Sequence, residues 1–108
     1  MGNFVLGGFK PYPDAYEKLL PYIEYFHIKD SLYAGAIVPP GKGEADIKAI
    51  LADFRKVSDK DAYITLEPHL ETFSGLHTLV GRNFTNPYKF ESTEESFGVA
   101  VKSLRELL

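Results

Sequence analysis

Six side chains in this sequence have types and spacings suited to acid–base or metal chemistry. His27, Lys29 and Asp30 close the run Tyr25-Phe26-His27-Ile28-Lys29-Asp30, Lys42 lies between Gly41 and Gly43, and Glu67 and His69 flank Pro68. A neutral imidazole and a carboxylate are ligands for a divalent ion and can also pass protons. Glu67 ends an apolar run immediately before a proline. An unpaired buried carboxylate is costly, so packing alone does not account for it. His69, two residues on, can join Glu67 as a ligand or line the mouth of the same site. Each position also has a plainer reading. His27 can be a core histidine satisfied by a backbone partner, Asp30 a turn or cap residue, Lys29 and Lys42 solvated charges, and Glu67 an exposed strand-end carboxylate.

Elements of a recognisable kind must position these groups. Residues 23 to 29 and Ala62-Tyr63-Ile64-Thr65-Leu66-Glu67 read as strands. If side chains alternate along the first, His27 and Lys29 share one face, and Ile28 and Asp30 the other. Asn3-Phe4-Val5-Leu6-Gly7-Gly8 reads as a third, earlier strand. Pro11, Pro13 and Asp14 offer helix-start chemistry, and Tyr16, Leu19 and Leu20 give a short apolar stripe limited by Pro21. A Gly/Pro loop spans Gly35 to Gly43. Ile47, Ile50, Leu51 and Phe54 then recur at i, i+3, i+4, i+7, predicting an amphipathic helix that ends near Ser58-Asp59. Leu76, Leu79 and Val80 suggest a short helix before Gly81, and Asn83 to Lys89 reads as loop. Ser92 and Glu95 form a possible capping box, opening a last helix with Phe97, Val101, Leu104 and Leu108 as its inner face. Strands alternating with helices predict an α/β protein built from parallel βα units. In such sheets chemistry gathers at the carboxyl ends of the strands.

Composition narrows the classes. The chain has 108 residues and is read as a single domain, 1–108, with 44% apolar and 14% aromatic residues, a globular balance. Its formal charge is −3 and no Lys/Arg cluster occurs, which argues against nucleic acid as a partner. With no cysteine, disulfides and thiolate metal sites are excluded. No apolar run approaches the roughly 20 residues that span a bilayer, and no basic-then-apolar signal pattern opens the chain. A soluble, cytoplasmic protein is expected.

The segments His27-Ile28-Lys29-Asp30, Pro40-Gly41-Lys42-Gly43 and Leu66-Glu67-Pro68-His69, in this order and spacing, resemble the last part of the xylose-isomerase-like TIM barrels. This is the sugar phosphate isomerase/epimerase superfamily that also includes endonuclease IV. The resemblance runs from about Asn3 to Leu108. It implies that Asn3–Gly8, Tyr25–Asp30 and Tyr63–Glu67 are the sixth, seventh and eighth strands of a (β/α)8 barrel, incomplete as a single chain because a whole barrel takes roughly 250 residues. It further implies a divalent metal (Mn, Mg, Co or Zn) held by His27 and Glu67, with Glu67 also the catalytic acid/base. Asp30, Lys29, His69 and Lys42 are the implied substrate-binding residues, and Arg82 joins Lys42 as a weak phosphate candidate. The family's fifth-strand Glu has no counterpart here, and Met1-Gly2 stand where its sixth-strand Asp is expected. Endonuclease IV relatives follow the seventh strand with an Asp-x-His pair, absent between Asp30 and Gly41, so DNA repair is disfavoured.

The expected function is therefore that of a C-terminal part of a metal-dependent sugar isomerase or epimerase, acting on a small sugar or sugar phosphate by proton transfer. With two of the family's four ligands, the lone chain is expected to bind metal weakly and to be inactive unaided. The alternative is a non-catalytic α/β fragment stabilised by self-association. Open sheet edges are templates for pairing, so a homo-oligomer, or association with a complementary barrel part, is expected.

Overall fold

The computed structural model describes residues 1–70 and 86–108. The short helix expected around Leu76 to Val80, with His77 and Arg82, lies outside the described residues.

The first element is a helix, α1 (Gly2–Leu6), where a strand was expected. Three or four apolar residues are too few for periodicity to separate strand from helix. The buried positions, Gly2 and Val5, are three apart, a helical spacing. The Gly7, Gly8 and Phe9 amides donate to the carbonyls of Asn3, Val5 and Phe4, and not to a neighbouring strand. The closing glycines serve as the helix exit, with Gly8 at φ 81°. Pro11, Pro13 and Asp14 lead into the short α2 (Tyr16–Leu19), which tightens into a 3-10 turn over Leu20–Tyr22 at Pro21.

Strand β1 (Tyr25–Ile28) follows, with Phe26 and Ile28 buried and Tyr25 and His27 exposed. The chain after it is not the plain loop anticipated. Asp30–Ser31 (β2) pairs antiparallel with Ile37–Val38 (β3), Asp30 opposite Val38. Helix α3 (Ile47–Val57) buries Ile47, Ile50, Leu51 and Phe54, the stripe its spacing predicts. Strand β4 (Tyr63–Leu66) then lies parallel beside β1, Tyr25 facing Tyr63 and His27 facing Thr65. The Glu67 amide donates to the Ile28 carbonyl at 2.9 Å, carrying the pairing one residue past the strand. β1, α3 and β4 thus make a parallel βαβ unit in a mixed α/β fold. Its core lies on one side of the sheet, where the Phe26 and Phe54 rings meet edge-on at 5.0 Å.

Helix α4 (Thr93–Leu107) starts where expected: the Ser92 hydroxyl accepts from the Glu95 amide at 3.1 Å. Its inner face keeps Leu104 of the expected one and otherwise differs. Ser96, Ala100 and Ser103 are buried, Leu104 and Leu107 pack on the core, and Phe97 and Leu108 are 51% and 49% exposed. Small residues let a helix approach closely, and here they turn Phe97 outward. Among the described residues, no helix is long and apolar enough to cross a membrane.

Candidate functional site

The carboxyl ends of β1 and β4 bring four of the six expected side chains together. His27 Nε2 lies 3.1 Å from Glu67 Oε2, and His69 Nε2 lies 3.1 Å from Glu67 Oε1. Lys29 Nζ lies 3.5 Å from His69 Nδ1. The parallel register causes this meeting. It sets His27 beside Thr65, and alternation returns the same face of β4 at Glu67. Pro68 has no amide to continue the ladder. His69 then adopts φ 41°, a left-handed conformation that His takes more readily than most residues other than Gly, and its ring comes back onto Glu67. The side chains of His27, Glu67 and His69 are 51%, 32% and 57% exposed, so solutes reach all three.

Each Glu67 oxygen thus faces a different imidazole Nε2 at ion-pair distance. The Lys29 ammonium can only donate, so Nδ1 of His69 is the acceptor of that contact. The group can hold and hand on protons at two ring nitrogens and one carboxylate. Its donor chemistry also fits a divalent ion. Imidazole and carboxylate together suit Zn, Co or Mn, and both Nε2···O separations approximate the edge of a coordination shell with bonds of about 2.1 Å. Among the described residues, no group of three or more His, Asp or Glu side chains already surrounds a common point. The two rings address opposite oxygens of Glu67 instead.

Asp30 and Lys42 stand apart from this cluster. Asp30 is 1% exposed. Its Oδ1 accepts from the Ser31 and Ala45 amides at 2.9 and 3.2 Å, and its Oδ2 from the Gly41 and Gly43 amides at 2.8 and 3.0 Å. The side chain thereby folds the following loop around itself, the work of a turn residue. Burial pushes its carboxyl above the ordinary range, and the four amides pull it back. A Cβ at Gly43 would collide with the Asp30 carboxylate, which is why the loop needs glycine there. Lys42 is exposed on that loop and, among the described residues, pairs with no carboxylate.

Beside His27, an apolar cavity of about 180 Å³ is lined by Phe4, Leu19, Tyr25 and Phe26, among others. Nothing in the sequence signals it, because it arises where α1 and α2 meet β1. The face that carries His27 is otherwise aromatic and open: Tyr25 and its partner Tyr63 are 57% and 82% exposed.

No family model matches the chain, and no curated protein or solved structure is significantly similar to it.

Proposed function

We propose that the chain carries part of the site of a metal-dependent sugar isomerase or epimerase acting in the cytoplasm. Its βαβ unit would correspond to the seventh and eighth strands of a TIM barrel, and the remainder would come from a complementary barrel part or further copies of the chain. One observation carries this reading: an imidazole and a carboxylate meet at 3.1 Å where two neighbouring parallel strands end. That is where α/β sheets concentrate chemistry.

In this reading His27 and Glu67 hold a divalent ion, and the chemistry such an ion supplies is polarisation of a hydroxy-ketone. Glu67 would take the proton from the hydroxyl-bearing carbon next to the carbonyl and return it to the former carbonyl carbon, while the hydroxyl proton passes to the carbonyl oxygen. His69 and Lys29 contact sugar oxygens at the mouth, and Lys42 reaches a phosphate when the sugar carries one. The buried, fourfold-bonded carboxylate of Asp30 supports a loop-shaping role in place of substrate contact.

The test is amide NMR of the chain with Mg2+ and a linear pentitol, the open-chain analogue of an aldose. Metal-dependent, pentitol-induced shifts at His27, Lys29, Thr65 and Glu67, absent in Glu67→Gln, are expected. Shifts elsewhere, or none, would reject the reading. Turnover of aldoses by the chain alone is not expected. A second reading, a non-catalytic domain whose sheet is covered by self-association, is favoured by the exposed pair Tyr25 and Tyr63.

A further inference from the structure

We infer that the free edge of β1 is a slot for β4 of a second copy, so that chains join head to tail through one continuous parallel sheet. The inference rests on the reading of this sheet as incomplete in one chain. It deepens that reading by naming the partner and the edge.

In a parallel ladder, successive residues of a strand aim their backbone groups at opposite neighbours. The Glu67 amide donates to the Ile28 carbonyl, so Phe26 and Ile28 face β4 while Tyr25 and His27 face away from it. On that outer side the Gly2 amide donates to the Lys29 carbonyl at 2.8 Å, one step further along the same edge. A Cβ at Gly2 would stand 2.8 Å from that oxygen, so only a residue without a side chain comes this close. The edge therefore already takes backbone at one end. Before that point, among the described residues, the amides and carbonyls of Tyr25 and His27 have no partner. The cavity of about 180 Å³ runs along this stretch, lined by Tyr25, Phe26 and His27. Three consecutive strand residues share a cavity only at the strand's edge, because their side chains alternate. Its floor on the core side is Tyr16, Ile23 and Ile50. It exceeds the roughly 150 Å³ in which an apolar cavity takes up benzene, so it has room for one branched or aromatic side chain. The matching occupant is an extended segment with an apolar residue toward the core and polar neighbours on the open face.

β4 has this pattern. Its register with β1 aims the backbone groups of Tyr63 and Thr65 at β1 and those of Ile64 and Leu66 outward. Among the described residues, that outer edge has no partner strand. Ile64 sits on the core face opposite Phe26, yet is 36% exposed. Unpaired strand edges are templates for pairing, and here each edge offers the backbone groups of two residues. Both strands turn the same face to the core, so a parallel approach of β4 from a second copy carries its Ile64 over the cavity. Slot and strand are different surfaces. The contact is therefore heterologous, and chains add until a ring closes or a filament grows.

The experiment is sedimentation of wild type, Tyr25→Pro, Ile64→Pro and an equimolar mixture of the two variants. Proline removes one outward amide and is tolerated at a strand edge; far-UV circular dichroism checks each fold. Tyr25→Pro spoils the slot and leaves β4 intact, and Ile64→Pro does the reverse. Wild type should associate as concentration rises, and each variant alone should stay at monomer mass. The mixture should form a dimer of one of each, because it retains one intact slot and one intact strand. If a variant loses its fold, amide exchange in wild type decides. Raising the concentration should slow exchange at Tyr25, His27, Ile64 and Leu66 by at least about tenfold and leave Phe26 and Thr65 unchanged. A wild type monomeric at all concentrations, a variant that associates as wild type does, or folded variants that fail to complement would overturn the inference. The pentitol experiment with Mg2+ judges the wider reading separately, since it reads His27 and Glu67 within one chain.

Discussion

At the scale of single residues, Asp30 and Glu67 show two different uses of a strand-end carboxylate. Asp30 is buried under four amides, whereas Glu67 is half exposed between two rings. An apolar run ending in a charged residue looks the same in both cases, and only the path of the following backbone separates them. Replacing Asp30 by Asn leaves one carbonyl oxygen and turns an NH2 group toward amides that need acceptors. The loss should be about 1–3 kcal/mol, the cost of unsatisfied buried groups, read from urea unfolding. The pH dependence has a definite sign. Burial lets the folded Asp30 keep its proton to a higher pH than an unfolded aspartate does. Its contribution to stability is therefore fullest below the ordinary aspartate range and declines as pH rises through the folded-state value. The stability difference between wild type and Asp30→Asn should shrink across that interval. A difference that grows with pH would show that the amides outweigh burial.

At the scale of elements, what was legible followed length and periodicity. α3 carries four apolar residues in helical register and came out as read, and so did the two β-rich runs that became β1 and β4. α1 was not legible, because its few apolar residues satisfy either period and its glycines end a helix as readily as a strand. On α4 the larger side chains suggested one face, while the fold kept Leu104 of it and buried the small Ser96, Ala100 and Ser103. That corrected face makes opposite predictions from the expected one. Ala100→Leu should destabilise by about 1–3 kcal/mol, as overpacking does. Phe97→Ser should stay within about 0.5 kcal/mol, as at exposed positions. Thermal unfolding of the two variants distinguishes the faces, and the reverse order would restore the expected one. Phe54→Ala, which removes the ring packed on Phe26, should cost about 3–5 kcal/mol.

At the scale of the molecule, a two-stranded parallel sheet with helices on one side leaves Tyr25, His27, Tyr63 and Thr65 on an open face. The sequence reading anticipated open sheet edges and not an open face. The meeting of His27 with Glu67 was foreseeable from strand ends in order. His69 beside Glu67 was also among the readings, whereas the contact of Lys29 with His69 was not, because it depends on one left-handed residue after Pro68. Under the reading of a shared barrel, the chain should sediment above its monomer mass of 12.1 kDa, and Tyr25→Ser with Tyr63→Ser should shift it toward monomer. A wild-type monomer at all concentrations would remove self-association. The central claim, that His27 and Glu67 serve one ion, is tested most directly by a double-mutant cycle on Zn2+ affinity with His27→Gln and Glu67→Gln. A shared ion predicts strong non-additivity, the double variant binding scarcely worse than the weaker single one. Losses that simply add, or affinity unchanged in either single variant, would contradict it.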